Sequence, residues 1–271
     1  MNKSQRKAIP PPAGWGDDAL SHFQEAASLN EQAMFVHAPA WHKALSNIAS
    51  DLSRCTGYAM STLLNVGDPA GRLLYASAHN QYLAAARMAS SGQALAAYPL
   101  GRATVESSLY GWYLESDRDA AARWHNKPTD RKMLGVWSNE FKFSTLAAKL
   151  TQTHSDGVKW AKWLHQTAID FGGHPNKEGV YANMDSQRAD DGSTKLQMKF
   201  LHDWNAASLL ANKFVIEAGM FTLSLFAMSF PDADAALKIR NATAAHALAL
   251  RSLVDSSGAI MQRDGGSPLG R

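Results

Sequence analysis

The chain has 271 residues, 45% hydrophobic and 19% charged, with 27 basic residues against 24 acidic ones and a net charge of +3. That composition suits a folded soluble protein of one large or two small domains, and it argues against disorder and against a polybasic nucleic-acid surface. Cys55 is the single cysteine, which excludes an intrachain disulfide and a cysteine-rich zinc site and fits a reducing cytoplasm.

Residues 1–13, running from Met1 through Lys3, Arg6 and Lys7 to Pro10-Pro11-Pro12, read as a flexible arm, because no apolar core follows the positive charges as a signal peptide requires. Asp17 and Asp18 then open a helix expected to reach about Ser28, and a second is expected from about Pro39 to Asn65, ahead of the turn Val66-Gly67-Asp68-Pro69. Asp68 as a cap with Pro69 in the first turn starts a helix to about Ser90, which Ser91-Gly92 interrupts. From about Leu100 a helix runs to Glu115. A short one capped by Asp117 ends near Asn126, one capped by Thr129 runs to about Leu150, and one capped by Ser155 ends at Gly172.

Gly172-Gly173-His174-Pro175-Asn176 then breaks the helical pattern. The two glycines free the backbone, and Pro175 biases His174 away from helical geometry, so a polar side chain is displayed on a shaped loop. Such a loop carries function in many folds, but Gly-Gly is also how ordinary helices end. Beyond it, Val180, Ala182 and Met184, and then Leu196, Met198 and Phe200, alternate with polar residues around Asp190-Asp191-Gly192-Ser193, which predicts a β-hairpin over about 180–200. A mostly apolar helix follows from about Asp203 to Ser229. Its apolar stretch from Ala218 to Phe230 is shorter than the roughly twenty residues of a bilayer span, so a buried core helix is expected and no membrane contact. Phe230-Pro231-Asp232 turns into a last helix ending near Asp255, and 257–271, with Gly265-Gly266-Ser267-Pro268, read as a disordered tail. No repeat or low-complexity linker divides the chain. The expectation is therefore all-α: a single helical bundle of about seven to nine helices over 14–256, with a small inserted β-hairpin.

The chain has no phosphate-loop pattern, no dinucleotide glycine motif, no Gly-x-Ser-x-Gly elbow and no histidine pair three or four apart, so it calls for no cofactor and no metal. Arg102 and Glu106 stand one helical turn apart on a shared face. They read either as a surface pair or as part of a buried charge network in which Glu217, stranded in an apolar helix, accepts from Arg102 or Lys213. His125 beside Trp124, and His165 near Trp160 and Trp163, sit among eight tryptophans that serve as core anchors or line a ligand pocket. The candidate binding residues are accordingly Arg102, Glu106, His125, His174 and Asn176.

Arg240-Asn241-Ala242-Thr243-Ala244-Ala245-His246 places an Arg, a polar amide and, six positions after the Arg, a His on one late helix; Arg118-Asp119 with His125 repeats the pattern. On these residues the chain resembles the HEPN class of helical domains (higher eukaryotes and prokaryotes nucleotide-binding), whose ribonuclease members carry such an Arg and His. The resemblance implies metal-independent cleavage of RNA in a defence setting. Arg240 would hold the phosphate, His246 would transfer a proton, Asn241 would orient one of them, and two subunits of a homodimer would complete the cleft. A looser resemblance, carried by Arg102 and Glu106, is to uncharacterised bacterial all-helical proteins and implies the bundle alone. The rival reading is a non-catalytic bundle that binds a protein partner or a small ligand, with Arg240 a surface charge.

Overall fold

Asp18 accepts from the backbone N–H groups of Leu20 and Ser21 and so starts α1 (Ala19–His37). The helix passes its expected end at Ser28 because the polar run after Leu29 contains no breaker. Only Pro39, at the head of α2 (Pro39–Ser61), stops it. The structure, a computed structural model, describes residues 10–117, 119–173, 177–188 and 191–258. Within them the chain continues through α3 (Ala70–Ser90), α4 (Ala94–Ser116), α5 (Ala120–His125), α6 (Arg131–Glu140), α7 (Phe143–Leu150), α8 (Ser155–Ala168) and α9 (Lys177–Tyr181). Strands β1 (Met184–Arg188) and β2 (Thr194–Met198) precede α10 (Ala206–Ser229), α11 (Pro231–Leu237) and α12 (Ile239–Ser256).

The helical bundle with one small antiparallel sheet is as expected, but the described residues hold twelve helices, not seven to nine. Two helices expected as continuous are split. Phe141 is buried to 1% exposure between α6 and α7, where its carbonyl accepts from the Tyr110 hydroxyl, so the chain turns to bring the ring inside. Lys238 adopts φ 56° and ψ 42°, a left-handed residue that separates α11 from α12. The third addition, α9, occupies the start of the expected first strand. Asn183 Nδ2 donates to the Gly179 carbonyl and ends the helix, which delays the strand to Met184.

The centre of the bundle is α10, packed against α2, α3, α4, α8 and α12. Sixteen of its 24 residues are buried, which accounts for an apolar helix long enough by composition to cross a bilayer. Small residues let its neighbours close in. A Cβ on Gly101 of α4 would lie 2.4 Å from Phe214 Cε1, and one on Gly219 of α10 would lie 2.5 Å from Ile48 Cγ2. The α3–α4 turn uses Gly92 at φ +83°, and the His202 N–H donates to its carbonyl at 2.8 Å. His202 is itself buried. Its Nε2 donates to Asn183 Oδ1 at 2.7 Å while Asn205 Nδ2 donates to its Nδ1 at 3.2 Å, so the ring is held neutral; burial first, and then Lys199, lower its pKa.

β1 and β2 pair in the register Met184↔Met198 and Ser186↔Leu196, and the Lys199 N–H donates to the Asn183 carbonyl at 2.7 Å, closing the neck of the hairpin. Ser257, expected in the tail, is buried and accepts from Trp41 Nε1 at 3.3 Å.

Candidate functional site

α4 is a mostly buried helix whose Arg102, Glu106 and Tyr110 recur every four residues and therefore line one stripe. α8 is laid alongside that stripe, and α7 covers its far end. One carboxylate oxygen, Glu106 Oε1, accepts from Arg102 Nε at 2.7 Å and from His165 Nε2 at 3.0 Å. The His165 ring stacks on Phe143 of α7, with centroids 3.8 Å apart and planes within 13°, and only 16% of its side chain is exposed. Arg102 and Glu106 are about one-third exposed, so the group lies at the floor of the surface and is reachable from solvent.

Burial would raise the Glu106 carboxyl, but the hydrogen bonds from His165 and Arg102, and their charge, overcome it and hold the pKa below the ordinary carboxylate value. Glu106 is therefore ionised at neutral pH. In the neutral imidazole, an ionised acceptor at Nε2 fixes the proton there, and Nδ1 of His165 is then the lone-pair nitrogen. Tyr110, one turn on, has its pKa raised by burial and then by Glu106, and remains a neutral hydroxyl. Exposed Lys142 precedes Phe143, and exposed Lys162 stands one turn before His165.

Pro99 cannot donate to the Leu95 carbonyl one turn back, and Gly172 packs into that place. A Cβ there would lie 2.5 Å from Leu95 O and 3.1 Å from Pro99 Cδ. Residues Ile169–Gly173 form a π-turn, which prolongs α8 and delivers the chain against α4 one turn ahead of Arg102. His174 and Asn176, expected on the loop beyond, lie outside the described residues, as does Arg118.

The other candidates are placed apart from this group. His125 is half exposed and meets Asp68 Oδ2 at 3.1 Å, while Asp68 Oδ1 accepts from the Ala70 N–H. Arg240 is 65% exposed, its Nε 3.1 Å from Asp234 Oδ2; Asn241 is exposed; His246 is 12% exposed, its Nε2 2.8 Å from Asp51 Oδ2. Asp51 is held in turn by Arg54 Nη1 at 2.7 Å. Six residues turn an α-helix through about 600°, so Arg240 and His246 point about 120° apart. Within the chain they open on different grooves: Arg240 beside Trp160 and Met228, His246 beside Lys43 and Ile48.

Glu217 pairs with Lys213 at 2.8 Å and not with Arg102, and Lys213 also lies 4.7 Å from the Trp163 ring centre. Among the described residues, no group of three or more His, Cys, Asp or Glu side chains is placed to hold a metal ion. His165 is the member of the group that sequence reasoning left unassigned, since its partner is 59 residues away and no local spacing announces it.

No family model, no curated protein and no solved structure matches the chain.

Proposed function

We propose that the protein is a metal-independent phosphodiesterase acting on RNA, with Arg102, Glu106 and His165 as its working residues. The observation that carries this reading is the single Glu106 oxygen that positions a guanidinium and an imidazole side by side. The reaction is the RNA cleavage that the α12 residues suggest; the HEPN resemblance does not extend to Arg102, Glu106 and His165, which support that reaction by their geometry alone. The terminal nitrogens of Arg102 take the phosphate and the charge that develops on it. His165 Nδ1 takes the proton of the ribose 2′-hydroxyl; as the 2′ oxygen bonds to phosphorus and the bond to the 5′ oxygen breaks, that proton returns to the departing oxygen. Glu106 keeps the imidazole in the tautomer this requires.

The test is cleavage of single-stranded RNA in excess EDTA. His165→Ala and Arg102→Gln are expected to lose activity by roughly a hundredfold or more, the scale of one general-base or charge-stabilising group, with helical circular dichroism retained. Glu106→Gln is expected to lower kcat more than it raises KM. Loss in Arg240→Ala and His246→Ala instead would return the site to α12 and to a cleft shared by two subunits. A folded wild type that cleaves no RNA would overturn the reading and leave the non-catalytic bundle.

A further inference from the structure

Surface cavities open at α6, at the α2–α12 seam and at the α8–α12 seam. The cavity at α6 is flanked by Arg123, but that guanidinium is already held by Asp117, Glu140 and the Tyr113 hydroxyl. In the α2–α12 groove the histidine, His246, is committed to Asp51.

The α8–α12 groove differs. It encloses about 490 Å³, within the range of small-ligand sites. Its floor is Met220 and Met228 of α10, one wall is the Trp160 indole of α8, and the other is Ala244 and Ala247 of α12. Trp160 is fixed edge-on to Phe221, with centroids 5.5 Å apart. The hydroxyls in the lining donate to nearby carbonyls of the chain: Ser224 to Met220, Thr243 to Ile239 and Thr153, at 3.3 Å, to Leu150. The interior therefore presents soft apolar and aromatic surface.

Arg240 is the one permanently charged side chain among the lining residues; His154 lines the groove as well, and no carboxylate does. Asp234, outside the lining, fixes Arg240 through Nε at 3.1 Å; Nη2 has a long 3.4 Å contact with the Ala227 carbonyl. The fork of the guanidinium is thus oriented and still able to take an anion in two-pronged fashion. His154 is fixed by packing, since its ring lies against Gly157, where a Cβ would stand 2.7 Å from Cδ2.

We propose that this groove is a binding site for a small planar aromatic anion, its ring between Trp160 and the two thioethers and its carboxylate or phosphate on Arg240. The site is independent of the Arg102–Glu106–His165 group, so either proposal can fail alone.

Isothermal titration with three probes tests it: indole-3-carboxylate, its neutral carboxamide, and AMP. At least one of the two anions is expected to bind the wild type, and which one binds tells a carboxylate ligand from a phosphate. Arg240→Gln is expected to weaken the anion by about tenfold, the scale of one charge-assisted hydrogen bond, and to leave the carboxamide unchanged. Ala247→Trp, which fills the groove from the α12 wall, is expected to abolish binding of every probe, with circular dichroism showing that the fold survives. Anion binding that is indifferent to Arg240→Gln or survives Ala247→Trp, or a wild type that binds neither anion, overturns the proposal.

Discussion

Lys213 holds Oε1 of Glu217, and Oε2 is buried without a hydrogen-bond partner. Burial raises the Glu217 pKa and Lys213 only partly opposes it. A carboxyl whose folded pKa lies above its unfolded one favours the folded state at low pH, and that contribution is lost as pH rises through the folded value. Removing the cation makes the ionised form harder still to bury. Lys213→Met is therefore expected to destabilise by about 2 kcal/mol at pH 7 and by clearly less at pH 4, which lies below the raised Glu217 pKa and leaves the carboxyl protonated. Denaturant midpoints at the two pH values check this; an equal loss at both would mean that the Trp163 contact of Lys213, and not its pairing with Glu217, is what matters. At this scale the sequence was readable where chemistry is local. A lone Glu in an apolar helix announces a cationic partner, and Arg102 with Glu106 announces a shared face. It was unreadable for His165, whose role depends on two helices meeting.

Lys238 shows the same division among the elements. Asp18 marks the start of α1 as expected, whereas α6 and α10 are capped by Asp130 and Asn205, one and two residues beyond the Thr129 and Asp203 that the sequence suggests. Nothing in Leu237-Lys238-Ile239 marks a stop, because a lysine at φ 56° is imposed by packing around it and not by its own preference. The split of the last helix was hidden for that reason, as was the break at Phe141, which follows from burial of the ring. Lys238→Gly is expected to stabilise the protein by about 0.5–1 kcal/mol, because glycine adopts this conformation without strain. A rise of a few degrees in Tm would confirm it, whereas a fall would mean that the lysine side chain contributes more than its backbone strain removes.

Over the whole molecule, the bundle was legible from helical periodicity, and the inserted hairpin was placed to within a few residues. Its exact start was hidden, since three alternating residues at Val180, Ala182 and Met184 fit a helix turn as well as a strand. The hairpin touches the bundle through its neck: Asn183 and Lys199 are bonded, and His202 ties them to Gly92. Replacing 184–198 by two glycines is expected to leave the denaturant midpoint of the bundle within the equivalent of about 1 kcal/mol, because β2 is exposed throughout and only Met184 and Asp185 of β1 are half-buried. A larger loss would show that the sheet supports the core. The central position of α10 also governs how the chain is born. At about 5–20 residues per second, roughly six to twenty-three seconds separate the last residue of α4 from the last of α10. For that interval the nascent chain holds α3 and α4 without the helix that covers them, and its alanine- and tyrosine-rich faces are open to chaperones on the ribosome.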